Sequence, residues 1–134
     1  GDSSVINWSS VCVGGIALDD FFFFSKISLP QTTRNSIEHR VKNAAYEIIK
    51  GRGATWDGIG AAVVDLLYAI VNDEKRILTT SVVSGVGKEA VAISLPRVIG
   101  SNGVIMNLHP KMNATETSAL RKSAKIIRKN FDSM

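Results

Sequence analysis

The sequence predicts an α+β fold, and three observations lead there. Two helical patterns follow one another directly, separated only by a glycine-rich break near residues 51–57. Three β-rich runs between 77 and 109 are divided by short turn signals, which implies antiparallel pairing. A last amphipathic pattern runs to the C-terminus, and nowhere does the chain alternate strand and helix as a nucleotide-binding sheet does. At 134 residues it suits one domain.

Taken in order, residues 4–18 (SVINWSSVCVGGIAL) are β-branched with a Gly-Gly near the end, and they read as an extended segment or strand with a bend. Residues 19–34 show no clear period, and Pro30 with the polar residues after it marks a loop. A helix is expected from about Asn35, which with Glu38 has the spacing of a reciprocal capping box. Ile37, Val41, Ala44, Ala45, Ile48 and Ile49 follow on one face, and Gly51 is expected to close the helix. A second helix covers about 57–72, with a stripe of Ile59, Ala62, Val63, Leu66, Leu67 and Ile70. The strand runs are RILTTSVV, EAVAISLPRVIG and GVIMNLH, with turns at Ser84-Gly85 and at Ser101-Asn102-Gly103. The last helix starts near Asn113, whose side chain can cap it with Glu116 three residues on.

Composition narrows the function classes. Apolar residues make up 45% and charged residues 21%, ordinary globular proportions. No apolar run approaches the roughly 18 residues of a membrane span, and the four phenylalanines at 21–24 read as core or subunit-contact residues. The start, GDSSV, has neither the basic nor the apolar region of a signal peptide, and Gly1 is expected to be a boundary and not the natural N-terminus. The single Cys12 excludes an internal disulfide and favours a reducing, cytoplasmic setting; between Val11 and Val13 it is expected to be buried and slow to react. Net charge is +4, with the excess in RKSAKIIRK (121–129), off the Leu120, Ala124, Ile127 and Phe131 face. That arrangement reads as a solvated face.

Several motifs fail on inspection. GRGATWDG lacks the third glycine of a dinucleotide loop and follows a helix where that motif needs a strand. SGVGKEA places Val82 where a phosphate-binding loop needs its first glycine. His39 and His109 have no cysteine or acidic cluster at ligand spacing, so no metal is expected. NWS and NAT match glycosylation acceptors, a pattern that chance supplies often. The interrupted helix remains. Glycines let the backbone turn there and leave its polar groups open to a partner, with Thr55 projecting from the boundary. The same residues also read as a plain connection in which Thr55 only caps a helix.

At this point the residues carry a resemblance. AAYEIIKGRGATWDGIGAAVVDLLYAIVNDEKRIL (44–78), GDSSVINWSSVCVGGIAL (1–18) and ISLPRVIGSNGV (93–104) are similar, in the right order, to segments of the C-terminal domain of the L-lactate and malate dehydrogenase family, most of all to its bacterial L-lactate dehydrogenases. The resemblance spans almost the whole chain. It implies a substrate-binding C-terminal domain over 1–134, with twisted antiparallel sheet and helices, preceded in the intact enzyme by an NAD-binding domain. It implies hydride transfer between NADH and the carbonyl carbon of a small 2-oxo acid, in a cytoplasmic homo-oligomer, dimer or tetramer, without nucleic acid or membrane. The family's catalytic histidine lies in Gly-Glu-His-Gly-Asp-Ser and would immediately precede Gly1, so no catalytic residue is expected in this chain. Thr55 matches the threonine that lines the substrate pocket, and Ile59 matches the apolar residue that packs on the nicotinamide ring.

Departures from the family pattern bear on substrate. Asp57 stands where an aromatic residue is common; an acid near an anionic substrate is unfavourable, so Asp57 should point away or the pocket differs. SVVSGVGKEAVAISLP is shorter than the usual segment, as in enzymes for larger branched 2-hydroxy acids, and TTS at 79–81 replaces a proline-containing turn. Thr55 favours lactate-type substrates over malate. Two other classes stay in view: a basic nucleic-acid module using Arg121, Lys122, Lys125, Arg128 and Lys129, and a catalytically silent assembly domain.

Overall fold

A computed structural model describes residues 3–85 and 90–133. The chain divides into two compact units, Gly1–Glu47 with Lys111–Ile126, and Ile48–Pro110 with Ile127–Met134.

In the first unit the opening segment bends at its Gly-Gly as expected, but its strands are short. It forms a single 3-10 turn at Trp8–Ser10, then two-residue strands β1 (Cys12–Val13) and β2 (Ile16–Ala17), paired antiparallel. Gly14 and Gly15, both at positive φ, make the turn between them. Polar side chains ahead of the strands bond elsewhere: the Asn7 amide donates locally to Ser10 Oγ, and Ser10 Oγ donates to the Lys111 carbonyl, 101 residues away in sequence. Cys12 is exposed, against expectation. The two-residue strand that carries it leaves the thiol open.

Residues 19–34 likewise hold more order than a loop. Helix α1 (Leu18–Ser25) carries Asp19 and Asp20 in its first turn, where carboxylates meet the positive end of the helix dipole. The run of phenylalanines hides any period, since consecutive apolar residues carry none. Helix α2 (Gln31–Arg52) begins four residues before Asn35. Pro30 starts it, its carbonyl accepting from the amides of Thr33 and Arg34, so the expected box between Asn35 and Glu38 does not form. Asn35 accepts from Gln31 Nε2, and Glu38 from the Trp8 indole at 2.8 Å. The box at the start of helix α4 (Ala114–Asp132) does form, with Glu116 N donating to Asn113 Oδ1 and Asn113 N to Glu116 Oε2. Glu116 Oε1 also accepts from Ser9 N.

The second unit holds the end of α2, helix α3 (Trp56–Val71), and strands β3 (Arg76–Ser84), β4 (Val91–Gly100) and β5 (Gly103–Asn107) in one antiparallel sheet of order β3-β4-β5. Thr80 lies opposite Leu95, and Arg97 opposite both Leu78 and Asn107. The expected start of the middle strand at Glu89, like most of SGVGKEA, lies outside the described residues. Ala69 of α3 and Ile99 of β4 are the buried apolar residues of this unit among those described. Beside them Arg97 is 1% exposed and donates to Asn107 Oδ1 and to the carbonyls of Thr80, Ile93 and Leu95. The α3 stripe expected from the sequence is largely open: Ile59, Val63 and Leu67 are exposed. No helix of the described residues is long and apolar enough to cross a membrane.

Candidate functional site

The site is built at the break between α2 and α3. Gly51 lies inside α2; the helix runs to Arg52 and ends at Gly53 (φ 80), whose amide bonds the Ile49 carbonyl at 2.7 Å. Gly53 is thus the left-handed residue that terminates the helix, a conformation costly for any residue with a Cβ. The chain then needs two more residues to start again. Thr55 holds the N-cap position of α3, and its carbonyl accepts from Ile59 N at 3.2 Å. Its hydroxyl makes no capping hydrogen bond. Position and side chain are therefore decoupled: Thr55 begins the helix with its backbone and keeps its hydroxyl uncommitted.

Ile59 follows one turn later and is 62% exposed. Four residues bring it to the same side of the helix as Thr55. Ile59, Ala62, Val63 and Leu66 form an apolar wall facing Leu78, Thr79, Thr80 and Ser81 of β3 across a groove of about 430 Å³. Thr55 does not line that groove. Its one acid, Asp65, is paired with Arg76 at 2.6 Å, which leaves the wall effectively apolar. Thr80 Oγ1 is buried there without a hydrogen-bond partner. The Ile59 flank is exposed, and no glycine-rich strand-to-helix turn among the described residues offers a cradle for the phosphates of a dinucleotide.

Asp57, two residues after Thr55, makes a contact that the sequence did not suggest: Arg52 Nη1 lies 2.7 Å from Asp57 Oδ2. The only sequence signal was an opposite charge five residues off across a glycine break. Among the described residues no group of three or more histidines, cysteines or acids stands together as metal ligands. The His39 ring lies within hydrogen-bonding distance of Asn43 Nδ2, on an exposed helix surface.

The family description "lactate/malate dehydrogenase, alpha/beta C-terminal domain" matches residues 1–134. The chain belongs to the lactate/malate dehydrogenase family. An L-lactate dehydrogenase of Thermus aquaticus is 45% identical to this domain over 130 residues, which are 96% of the chain and 42% of that protein. The minor L-lactate dehydrogenase of Enterococcus mundtii, in a ligands-bound crystal form, superposes with a TM-score of 0.88 at 27% identity, covering all of the chain and 43% of the enzyme. A lactate dehydrogenase of Cryptosporidium parvum, solved with lactic acid and nicotinamide adenine dinucleotide, gives 0.83 at 26%, with 100% and 44% covered. The dehydrogenase domain thus spans less than half the length of the relatives it matches. Its architecture of antiparallel sheet, paired helices with a break and a C-terminal helix is that of the family, as the sequence predicted.

Proposed function

We propose that this domain is the substrate-binding part of an NAD-dependent L-2-hydroxy acid oxidoreductase, specifically an L-lactate dehydrogenase, with Thr55 at the substrate and Ile59 at the nicotinamide. The observation that carries the reading is the uncommitted Thr55 hydroxyl at a helix break, one turn from an exposed apolar side chain. A hydroxyl so placed can donate to a carboxylate while its methyl group packs. NAD, held mainly by the N-terminal part of the whole enzyme, would supply or accept the hydride. The family's proton-donating histidine and carboxylate-binding arginine belong to that part as well. The relatives' names support the activity, and the 2-oxo acid most consistent with Thr55 is pyruvate, with branched 2-oxo acids or oxaloacetate as the alternatives within the family. Exposed Phe23 and Phe24 favour a homo-oligomer, and the lone Cys12 accords with a cytoplasmic place.

The test is Thr55→Val in the full-length enzyme, which keeps the shape and removes the hydroxyl. Losing a hydrogen bond to an ionised carboxylate costs about 1.5–3 kcal/mol. That is roughly a ten- to hundredfold fall in kcat/KM. If Thr55 merely starts α3, the unfolding midpoint falls while kcat/KM per folded molecule stays normal, and the assignment is wrong.

A further inference from the structure

The pair formed by Arg52 and Asp57 exists only because the helix breaks. In a continuous helix, residues five apart lie about 140° apart around the axis and do not meet. Here Gly53 turns the chain, and the last residue of α2 comes within 2.7 Å of the second residue of α3. Each charge also sits where its own helix end favours it, the guanidinium at a C-terminus and the carboxylate at an N-terminus. The two exposed partners bracket, in sequence, the segment that contains Thr55.

We propose that Arg52 is a positioning residue for substrate affinity: it holds and neutralises Asp57 beside the Thr55 site, so that an anionic 2-oxo acid can bind next to an acidic residue. The proposal rests on the reading of Thr55 as a substrate contact. The sequence alone made Asp57 an anomaly, an acid near the place of an anionic ligand, and the ion pair is its resolution. A bare Asp57 carboxylate would repel the substrate carboxylate through water. An exposed interaction of this kind is small, about two- to fivefold in an equilibrium constant. It is also screened by salt.

The experiment measures kcat and KM for pyruvate in the full-length enzyme, at low and high ionic strength, for Arg52→Gln, Asp57→Asn and the double variant. Arg52→Gln is expected to raise KM about two- to fivefold at low salt with kcat unchanged, and the rise should shrink as salt is added. Asp57→Asn should not raise KM, and the double variant should match Asp57→Asn. An unchanged KM in Arg52→Gln overturns the proposal, even if the unfolding midpoint drops. So does a rise that persists in the double variant, because it would then not depend on Asp57. Thr55→Val measured alongside separates the layers. If Thr55→Val is impaired and Arg52→Gln is not, the pair fails and the site stands; if Thr55→Val is normal, the site fails and the pair with it.

Discussion

Single residues decide more here than their types suggest. Gly100 is such a case. A Cβ there would come 2.5 Å from Ile105 Cδ1 and 2.6 Å from Asp73 Oδ1. Ile105 can swing its chain end aside, but Asp73 is tied, accepting from Ser101 N at 2.8 Å. Gly100→Ala should therefore cost about 1–3 kcal/mol, the range for overpacking, read as a lower urea midpoint at unchanged m-value. Cys12 reverses its sequence expectation. In the 134-residue chain it should react with a thiol reagent in native buffer nearly as fast as in denaturant; strong protection would mean that β1 is covered. Thr55 and Ile59 were legible in the sequence as positions in a family motif. The groove wall and the free hydroxyl were not, because both depend on where the break directs the helix.

At the scale of elements, the C-terminal helix was the easiest to read and α2 the hardest. Asn113 and Glu116 satisfy each other within one turn, so local sequence suffices. Asn35 and Glu38 have the same spacing, yet Pro30 starts the helix earlier and the Trp8 indole, 30 residues away, takes the Glu38 carboxylate. The α4 cap carries a pH prediction. Burial alone would raise the Glu116 carboxyl, but hydrogen bonds from Ser9, Asn113 and Trp8 outweigh it and hold the group below its ordinary value of 4.5. A lowered folded value means the stabilisation is complete above pH 4.5 and is lost as pH falls through the lower folded value. The unfolding midpoint of the parent should thus exceed that of Glu116→Gln at pH 7, and the gap should close on acidification below 4.5. Equal midpoints at pH 7 would remove Glu116 from the account. At the other break, Gly53→Ala puts a Cβ on a left-handed residue and should cost about 1 kcal/mol.

For the whole molecule, the amount of apolar surface left open is the main physical fact. Phe23 and Phe24 on α1, and Ile59, Val63, Leu67 and Val71 on α3, are all exposed. Ile59, Val63 and Leu67 were written in the sequence with the spacing of a buried face, and they stand exposed among the described residues. Contiguous exposed apolar patches mark contact surfaces. The purified chain is therefore expected to associate at rising concentration, which sedimentation velocity would reveal; a monomer throughout would argue against the oligomer. The proposed division of labour also predicts that the chain alone does not oxidise NADH in the presence of pyruvate. Turnover above that of a heat-killed sample would show that the chemistry is complete within these residues.

By itself the sequence determined the α+β class, the order of α2, α3, the three strands and α4, the α4 cap and the family. The class, the order and the cap rest on periodicity, on turn residues and on contacts within a turn, all of which are local; the family rests on the resemblance of residues 1–18, 44–78 and 93–104. The tertiary structure alone decided that Pro30 and Gly53 bound α2, that α1 is a helix, that Cys12 is open, and that Arg52 clasps Asp57. Each of those turns on a partner that competes with the local pattern or on a surface that happens to lack a cover. Spacing along a chain shows which groups can meet, and only the folded path shows which of them do.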